Sequence, residues 1–264
     1  MSEGAADFTF DTYEHLVRSG LRADYDFLPV REYLRRRDED LPPRFILLRH
    51  DVDRKPENAL EMARLEAELG VESTYYVRTI DKTLRPQIVE EVADLGHEVG
   101  YHYEDLDRAD GDREAARRTF ASELERLRQY APVETVCMHG NPLTPHDNRD
   151  LWGDDPAPLL AEHDLLGEAY LSMDFEDVTY FSDTGRTWRD GSLKIKDHTR
   201  GEGEKPLQVG TTFELVDLID RGRLDRLCLL THPNRWARTY PELVVESLKD
   251  ATINVGKHGL NLVR

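Results

Sequence analysis

Residues 45–53, FILLRHDVD, decide how this chain is read. The run Phe45 to Leu48 is apolar without interruption and follows Pro42 and Pro43, the pattern of a strand buried on both faces of a parallel sheet. It stops on Asp51 and Asp53. Five further runs end in the same way: STYYVRT at Arg78, EVGYHYED at His102 and Glu104, ETVCMHGNP at His139, VTYFSDTG at Asp183 and RLCLLTHP at His232. When parallel strands alternate with helices, their C-terminal ends emerge on one rim, so residues remote in sequence converge on one pocket. One such residue alone would be a strand cap; the repetition argues for an assembled site.

Helical patterns fill the gaps. Periodicity and end signals predict helices over 10–19 (opened by Asp11), 30–37, 56–70, 86–96, 113–130, 156–163, 212–221 and 241–251. Short strands are expected at 167–171 and 178–181, and hydrophilic loops at 41–44, 154–158 and 199–206. No repeat or composition break divides the chain. The expectation is therefore one α/β domain over residues 1–264: a distorted (β/α) barrel of about seven parallel strands, with residues 1–44 as a helical extension packed on it.

Charge narrows the partners. The chain carries 53 acidic residues against 35 basic ones, for a net charge of −18, and only 7 of the basic residues are Lys. Such a surface stays hydrated where salt screens charge within a few ångströms, so the chain reads as salt-adapted, or halophilic. It opposes nucleic-acid phosphates and anionic membranes, and neither is expected as a partner. Cys137 and Cys228 both sit in apolar runs, where a reduced thiol packs as a small hydrophobe, on strands that are candidates to be neighbours. The opening MSEGAADFTFDTYEH carries acid where a signal peptide carries base, and no stretch approaches the roughly 18 apolar residues of a membrane span. A soluble, cytoplasmic protein is expected.

The strand ends also suggest the chemistry. Asp51 and Asp53, at i and i+2, project to one face of an extended segment, so that a cation can hold one carboxylate while the other serves as a base. His102 and Glu104 repeat the spacing on a later strand. His139 is followed by Gly140, whose missing side chain lets backbone approach a ligand. One carboxylate and two imidazoles around a divalent ion, with a position left open, form the kind of site that hydrolyses amides and esters.

Together LRHDVD, STYYVRT, LGHEVGYHYEDL and LLTHP resemble the polysaccharide deacetylase superfamily (NodB-homology domains, carbohydrate esterase family four), in its uncharacterised deacetylase-like branch, over about residues 45–236. The resemblance implies a distorted barrel and a metal-dependent hydrolase, most simply a zinc enzyme, that removes acetyl from an N-acetylated sugar or sugar conjugate. By resemblance, Asp51 matches the catalytic base, Asp53 and His102 match metal ligands, and His232 matches the histidine that protonates the leaving amine. The family's second metal histidine falls four residues after the first, and here that position is Leu106. Either His139 or Glu104 replaces it, or the metal is lost.

The family's Arg-x-Pro-x-Gly segment is also missing. HGNPLTPHDNRDLW stands in its place, with Asn141, Asn148 and Arg149 as candidate contacts to substrate, and Arg78 and Glu104 join them from the strand ends. SDTGRTW offers Asp183, Arg186 and Trp188, and NRW offers Trp236: an Arg to orient an anion or hydroxyl, and indoles to stack on a sugar face. Two other readings fit these residues: a metal-free barrel that binds a carbohydrate or nucleotide-sugar without turnover, and a metal hydrolase of another non-peptide C–N bond.

The acidic, Lys-poor composition makes a prediction of its own. Folding and activity are expected to need molar salt or to be strongly helped by it. A melting temperature unchanged between low and molar potassium chloride would refute this.

Overall fold

The computed structural model describes residues 6–37, 40–191, 196 and 207–246. Along them run α1 (Phe10–Arg22), β1 (Asp26–Leu28), α2 (Val30–Arg36), β2 (Phe45–Val52), α3 (Pro56–Glu68), β3 (Thr74–Val77), α4 (Pro86–Asp94), β4 (Glu98–Tyr103), α5 (Asp105–Arg108), α6 (Arg113–Arg128), β5 (Thr135–Met138), α7 (Ala157–Glu162), β6 (Gly167–Glu168), β7 (Thr179–Ser182), α8 (Thr212–Asp220) and β8 (Arg226–Thr231). The strands lie in the order β6, β5, β4, β3, β2, β8, β7, with β1 beside the start of β2. Each pairing is parallel. The result is an α/β sheet curled into an open, distorted half-barrel, with every C-terminal strand end on one rim.

β2 is its axis. All eight residues of the strand are buried, because β8 pairs along Phe45–His50 on one side while β1 and then β3 pair on the other. Alternation along β2 divides the side chains. Arg49 and Asp51 face the barrel interior with Tyr76 and Cys137, whereas His50 faces outward beneath α1 and α3. The interior is tightly set at Gly100, where an added Cβ would lie 2.4 Å from the ring of Tyr76. That ring crosses β4 at this point, and its hydroxyl reaches Thr135 on β5 at 3.0 Å.

Outside the sheet, the fully buried Glu66 of α3 gathers a polar network. Its carboxylate accepts from Ser73 Oγ at 2.5 Å, from Tyr75 at 2.9 Å and from the Tyr13 hydroxyl of α1, with His50 Nε2 at 3.1 Å. His50 stacks on Tyr75 and turns its Nδ1 to Thr231 at 2.6 Å. Burial pushes the Glu66 carboxyl up, but His50, His97 and the hydrogen bonds outweigh it and hold the group at about 2.

Several expectations need correction. α1 is capped by Thr9, whose side chain accepts from the Thr12 amide, and not by Asp11, which lies inside the helix. The N-terminal extension is not purely helical, since β1 adds to the sheet. The strand expected at 167–171 shrinks to Gly167–Glu168, because the chain turns there on the Glu168 carboxylate, which accepts from the amides of Tyr170 and Leu171. Cys137 and Cys228 are buried free thiols on β5 and β8, which are not neighbours. The last helix runs from residue 240 to 246 of the described chain; the remainder of its expected span, and the whole of the loop expected at 199–206, lie outside the described residues.

Removing the Glu66 carboxylate leaves four buried polar partners, Ser73, Tyr75, Tyr13 and His50, without their acceptor, so Glu66→Ala is expected to cost about 3–5 kcal/mol of stability, read by urea unfolding. The folded-state value is depressed. The contribution is therefore present above about pH 4.5 and fades as pH falls toward 2, so the variant's deficit should shrink in acid.

Candidate metal centre

Two carboxylates leave β2 at the rim. Asp51 is buried to 3% exposure, and Asp53 follows where the chain folds back, its amide donating to the Asp51 carbonyl at 3.0 Å. Lys55, with φ of 53°, turns the chain into α3 and occupies the N-cap without a side-chain bond. Asp53 is thus not a helix cap, and its carboxylate is left for the site.

Two imidazoles converge on it. His102 Nε2 and His139 Nε2 each lie 3.4 Å from Asp53 Oδ1. That oxygen is shielded from solvent and accepts no hydrogen bond among the described residues. The groups behind the rings set their tautomers. His102 Nδ1 is 3.0 Å from the Cys137 carbonyl, which can only accept, so the proton sits on Nδ1 and the Nε2 lone pair faces Asp53. His139 Nδ1 is 3.2 Å from Glu104 Oε2, off the ideal hydrogen-bonding axis but with the same polarity.

Glu104 is itself clamped by Arg78 Nη2 at 2.6 Å. Burial raises its carboxyl, but His139 and Arg78 outweigh burial and hold it at about 2. Leu106, at the position where the family carries a histidine, is 3% exposed in the hydrophobic core. His139 from β5 therefore stands opposite His102, with Glu104 behind it.

Asp53, His102 and His139 offer ligand atoms within 4.8 Å of one another, and so do Asp51, His102 and Cys137. The second trio is the poorer cation site. Arg49 Nη2 lies 3.0 Å from both Cys137 Sγ and Asp51 Oδ2, which places a fixed positive charge among those ligands. A carboxylate and two imidazole lone pairs with a shielded, unpartnered oxygen between them fit a divalent ion of the zinc type. Burial raises the Asp53 carboxyl, but His139, His102 and His232 in their protonated forms outweigh it and push it well below the usual carboxylate range. It offers a charged ligand at any moderate pH.

Arg49 is the residue that sequence reasoning missed. Although fully buried, it stays charged: burial works against it, but Asp51 together with Cys137, Tyr170 and Tyr180 more than compensates. Nη2 reaches both Asp51 oxygens, at 3.0 and 3.3 Å, and the Tyr170 hydroxyl at 3.1 Å. The signal was available, because Arg49 precedes Asp51 by the same two-residue step that puts Asp51 and Asp53 on one face.

Across the rim, Asp183 at the end of β7 serves His232 at the end of β8. Its Oδ1 lies 2.6 Å from His232 Nδ1, while Oδ2 accepts from the His232 amide and from Trp236 Nε1, both at 2.9 Å. His232 Nε2 then faces Asp53 Oδ2 at 3.9 Å. Burial and Arg235 depress the imidazole, but Asp183 and Asp53 outweigh them and its value is raised.

Of the expected substrate contacts, Asp183 is wholly buried under His232, and Trp188 and Trp236 are sealed at 0% and 1% exposure. Trp188 donates to Thr212 Oγ1 at 3.0 Å, so neither indole presents a face to a sugar. Arg78 and Glu104 form the brace behind His139. Asn141 closes its own turn, accepting from the Leu143 amide at 3.0 Å, while buried Asn148 holds the His139 carbonyl at 2.8 Å. Arg149 is buried against Asp147. Arg186, at φ of 54°, donates to the Arg235 carbonyl beside the site.

No protein-family model matches the chain, and no curated protein does. Among the solved structures it matches are deacetylases, family four carbohydrate esterases and a family four pseudoenzyme. A deacetylase from Streptococcus pyogenes with acetate bound has 14% identity and a TM-score of 0.45, over 63% of this chain and 76% of that one. A family four pseudoenzyme from Bacillus anthracis has 12% identity and a TM-score of 0.44, over 81% and 66%. A family four carbohydrate esterase from Streptomyces lividans, also with acetate, has 13% identity and a TM-score of 0.40, over 81% and 90%. At this distance the chemistry of the site rests on its own residues.

If His139 is the third ligand and Glu104 its brace, His139→Ala should lose bound metal as severely as His102→Ala. Glu104→Ala should weaken it by only about 10- to 100-fold. Elemental analysis and chelator competition give the ranking, and the opposite order would move the ligand to Glu104.

Proposed function

We propose that this chain is a metal-dependent hydrolase, with zinc as its metal, that removes an acyl group, most simply acetyl, from an N-acylated sugar or sugar conjugate. One observation carries the reading: around the Asp53, His102 and His139 trio stand two more acid–base groups, each with its own dedicated partner. Asp51 lies 3.7 Å from His102 Nε2 with Arg49 behind it, and His232 lies 3.9 Å from Asp53 with Asp183 behind it. The amino-sugar substrate is supported by the motif resemblance, which is an argument from analogy.

A divalent ion at Asp53, His102 and His139 would polarise the acyl carbonyl and acidify a water molecule beside it. Asp51 takes the proton of the attacking water, its carboxylate fixed in direction by the Arg49 contacts. His232, whose Nδ1 proton is committed to Asp183, delivers a second proton from Nε2 to the departing nitrogen. A base and an acid on two different strands let both transfers proceed without either group having to turn. Among the described residues no helix is long and apolar enough to cross a membrane, and we assign the activity to the cytoplasm.

Asp51→Asn should keep the metal and lose turnover by roughly 10²- to 10⁴-fold, the usual worth of a general base, whereas Asp53→Asn should lose both. A reversal of these two outcomes would exchange the roles.

His232 must be protonated to act, so activity should fall as pH rises through its raised value. Asp183→Asn should move that alkaline limb downward. His232→Ala should cost most for amides and least for activated esters, whose leaving groups need no proton. A wild-type protein that binds no metal would favour the carbohydrate-binding reading.

A further inference from the structure

Buried polar atoms without partners gather at this rim. Besides Asp53 Oδ1, they include Nε of Arg78 and Nε of Arg235 among the described residues. A buried donor without an acceptor is costly, so such an atom marks a place where a ligand can supply the missing oxygen. Arg78 is already committed to Glu104. Arg235 is not committed in that way.

Arg235 sits in the turn Pro233–Arg235 directly after His232, its side chain 15% exposed. Its nearest carboxylate is Asp183, whose two oxygens already serve the His232 imidazole, the His232 amide and the Trp236 indole. What remains for Arg235 is an off-axis approach of Nε to Oδ1 at 3.6 Å and a long contact from Nη1 to the Asp183 carbonyl at 3.5 Å. Arg186 donates to the Arg235 carbonyl, which brings a second guanidinium to the same turn.

Charge points the same way. Four guanidinium groups, Arg49, Arg78, Arg186 and Arg235, stand around this site in a chain whose net charge is −18. At molar salt, where the screening length is about 3 Å, distant charges do nothing and only a direct contact on a half-buried guanidinium discriminates.

We propose that the substrate carries an anionic substituent, a carboxylate or a phosphate, and that Arg235 binds it beside His232. The inference rests on the hydrolase reading and narrows its substrate class to acidic N-acyl sugars. Arg235 is a fork of planar donors, suited to two oxygens of one anion.

The test uses a matched series: N-acetylglucosamine, the corresponding sugar with a carboxylate at C6, and the 6-phosphate. Calorimetry on both the metal-free and the zinc-loaded protein should show at least one acidic member binding 10-fold or more tighter than the neutral sugar. Which one it is distinguishes carboxylate from phosphate. Arg235→Gln should erase that preference, and Arg235→Lys should restore part of it. The ratio of kcat/KM between the preferred acidic sugar and the neutral one should fall by a similar factor.

A structural role exerted through Asp183 and His232 would lower both substrates alike and leave the ratio in place. That outcome, equal affinities in wild type, or a preference that survives Arg235→Gln would each overturn the proposal. None of them touches the hydrolase reading, which fails on its own terms if zinc does not bind or if no member of the series is deacylated.

Discussion

The parallel register around β2 is the constraint on which everything else depends. One strand, paired with β8 along one edge and with β1 and β3 along the other, and through β3 with β4 and β5, fixes where β3, β4, β5 and β8 stop. It thereby fixes the height of Arg78, His102, His139 and His232 relative to its own aspartates. A slip of one residue in this strand would send Arg49 and Asp51 out among the helices and bring His50 in. The Glu66 network opposes such a slip, because it accepts only His50, Tyr75 and their partners on the outer face. The site is thus held in place by a polar cluster on the far side of the sheet.

Much of this was legible in the sequence because it followed one rule, that buried parallel strands end on a common rim. The positions of Asp51, Asp53, His102, His139 and His232 all came from that rule. What stayed hidden depends on which strands are neighbours, a fact that no local pattern carries. Asp183 looked like a turn residue or a ligand contact until β7 and β8 were seen side by side, with Ser182 opposite Leu230. Trp188 and Trp236 looked like sugar platforms because an isolated indole near polar residues has no visible burial. Arg49 was hidden differently: it sat inside an apolar run, where a charge reads as an interruption.

Among the described residues, four carboxylates at the rim sit in different electrostatic settings because each has a different neighbour. Asp53 faces three imidazoles, Asp51 faces a guanidinium, Asp183 faces one imidazole and an indole, and Glu104 faces one imidazole and Arg78. Chemically identical groups are set apart here by their partners, and those partners arrive on separate strands.

Gly100 shows how far this dependence extends. The Tyr76 ring lies where a side chain at residue 100 would be, and the Arg49 guanidinium lies 5.5 Å above that ring. The elevation of Asp51 on β2 is therefore governed by an empty position two strands away. In any lineage of this chain, residues 49, 76 and 100 should drift together or not at all: a methyl group gained at 100 demands a smaller ring at 76, and a smaller ring removes the floor on which the guanidinium rests. Covariation among those three columns is the evolutionary trace that this packing would leave.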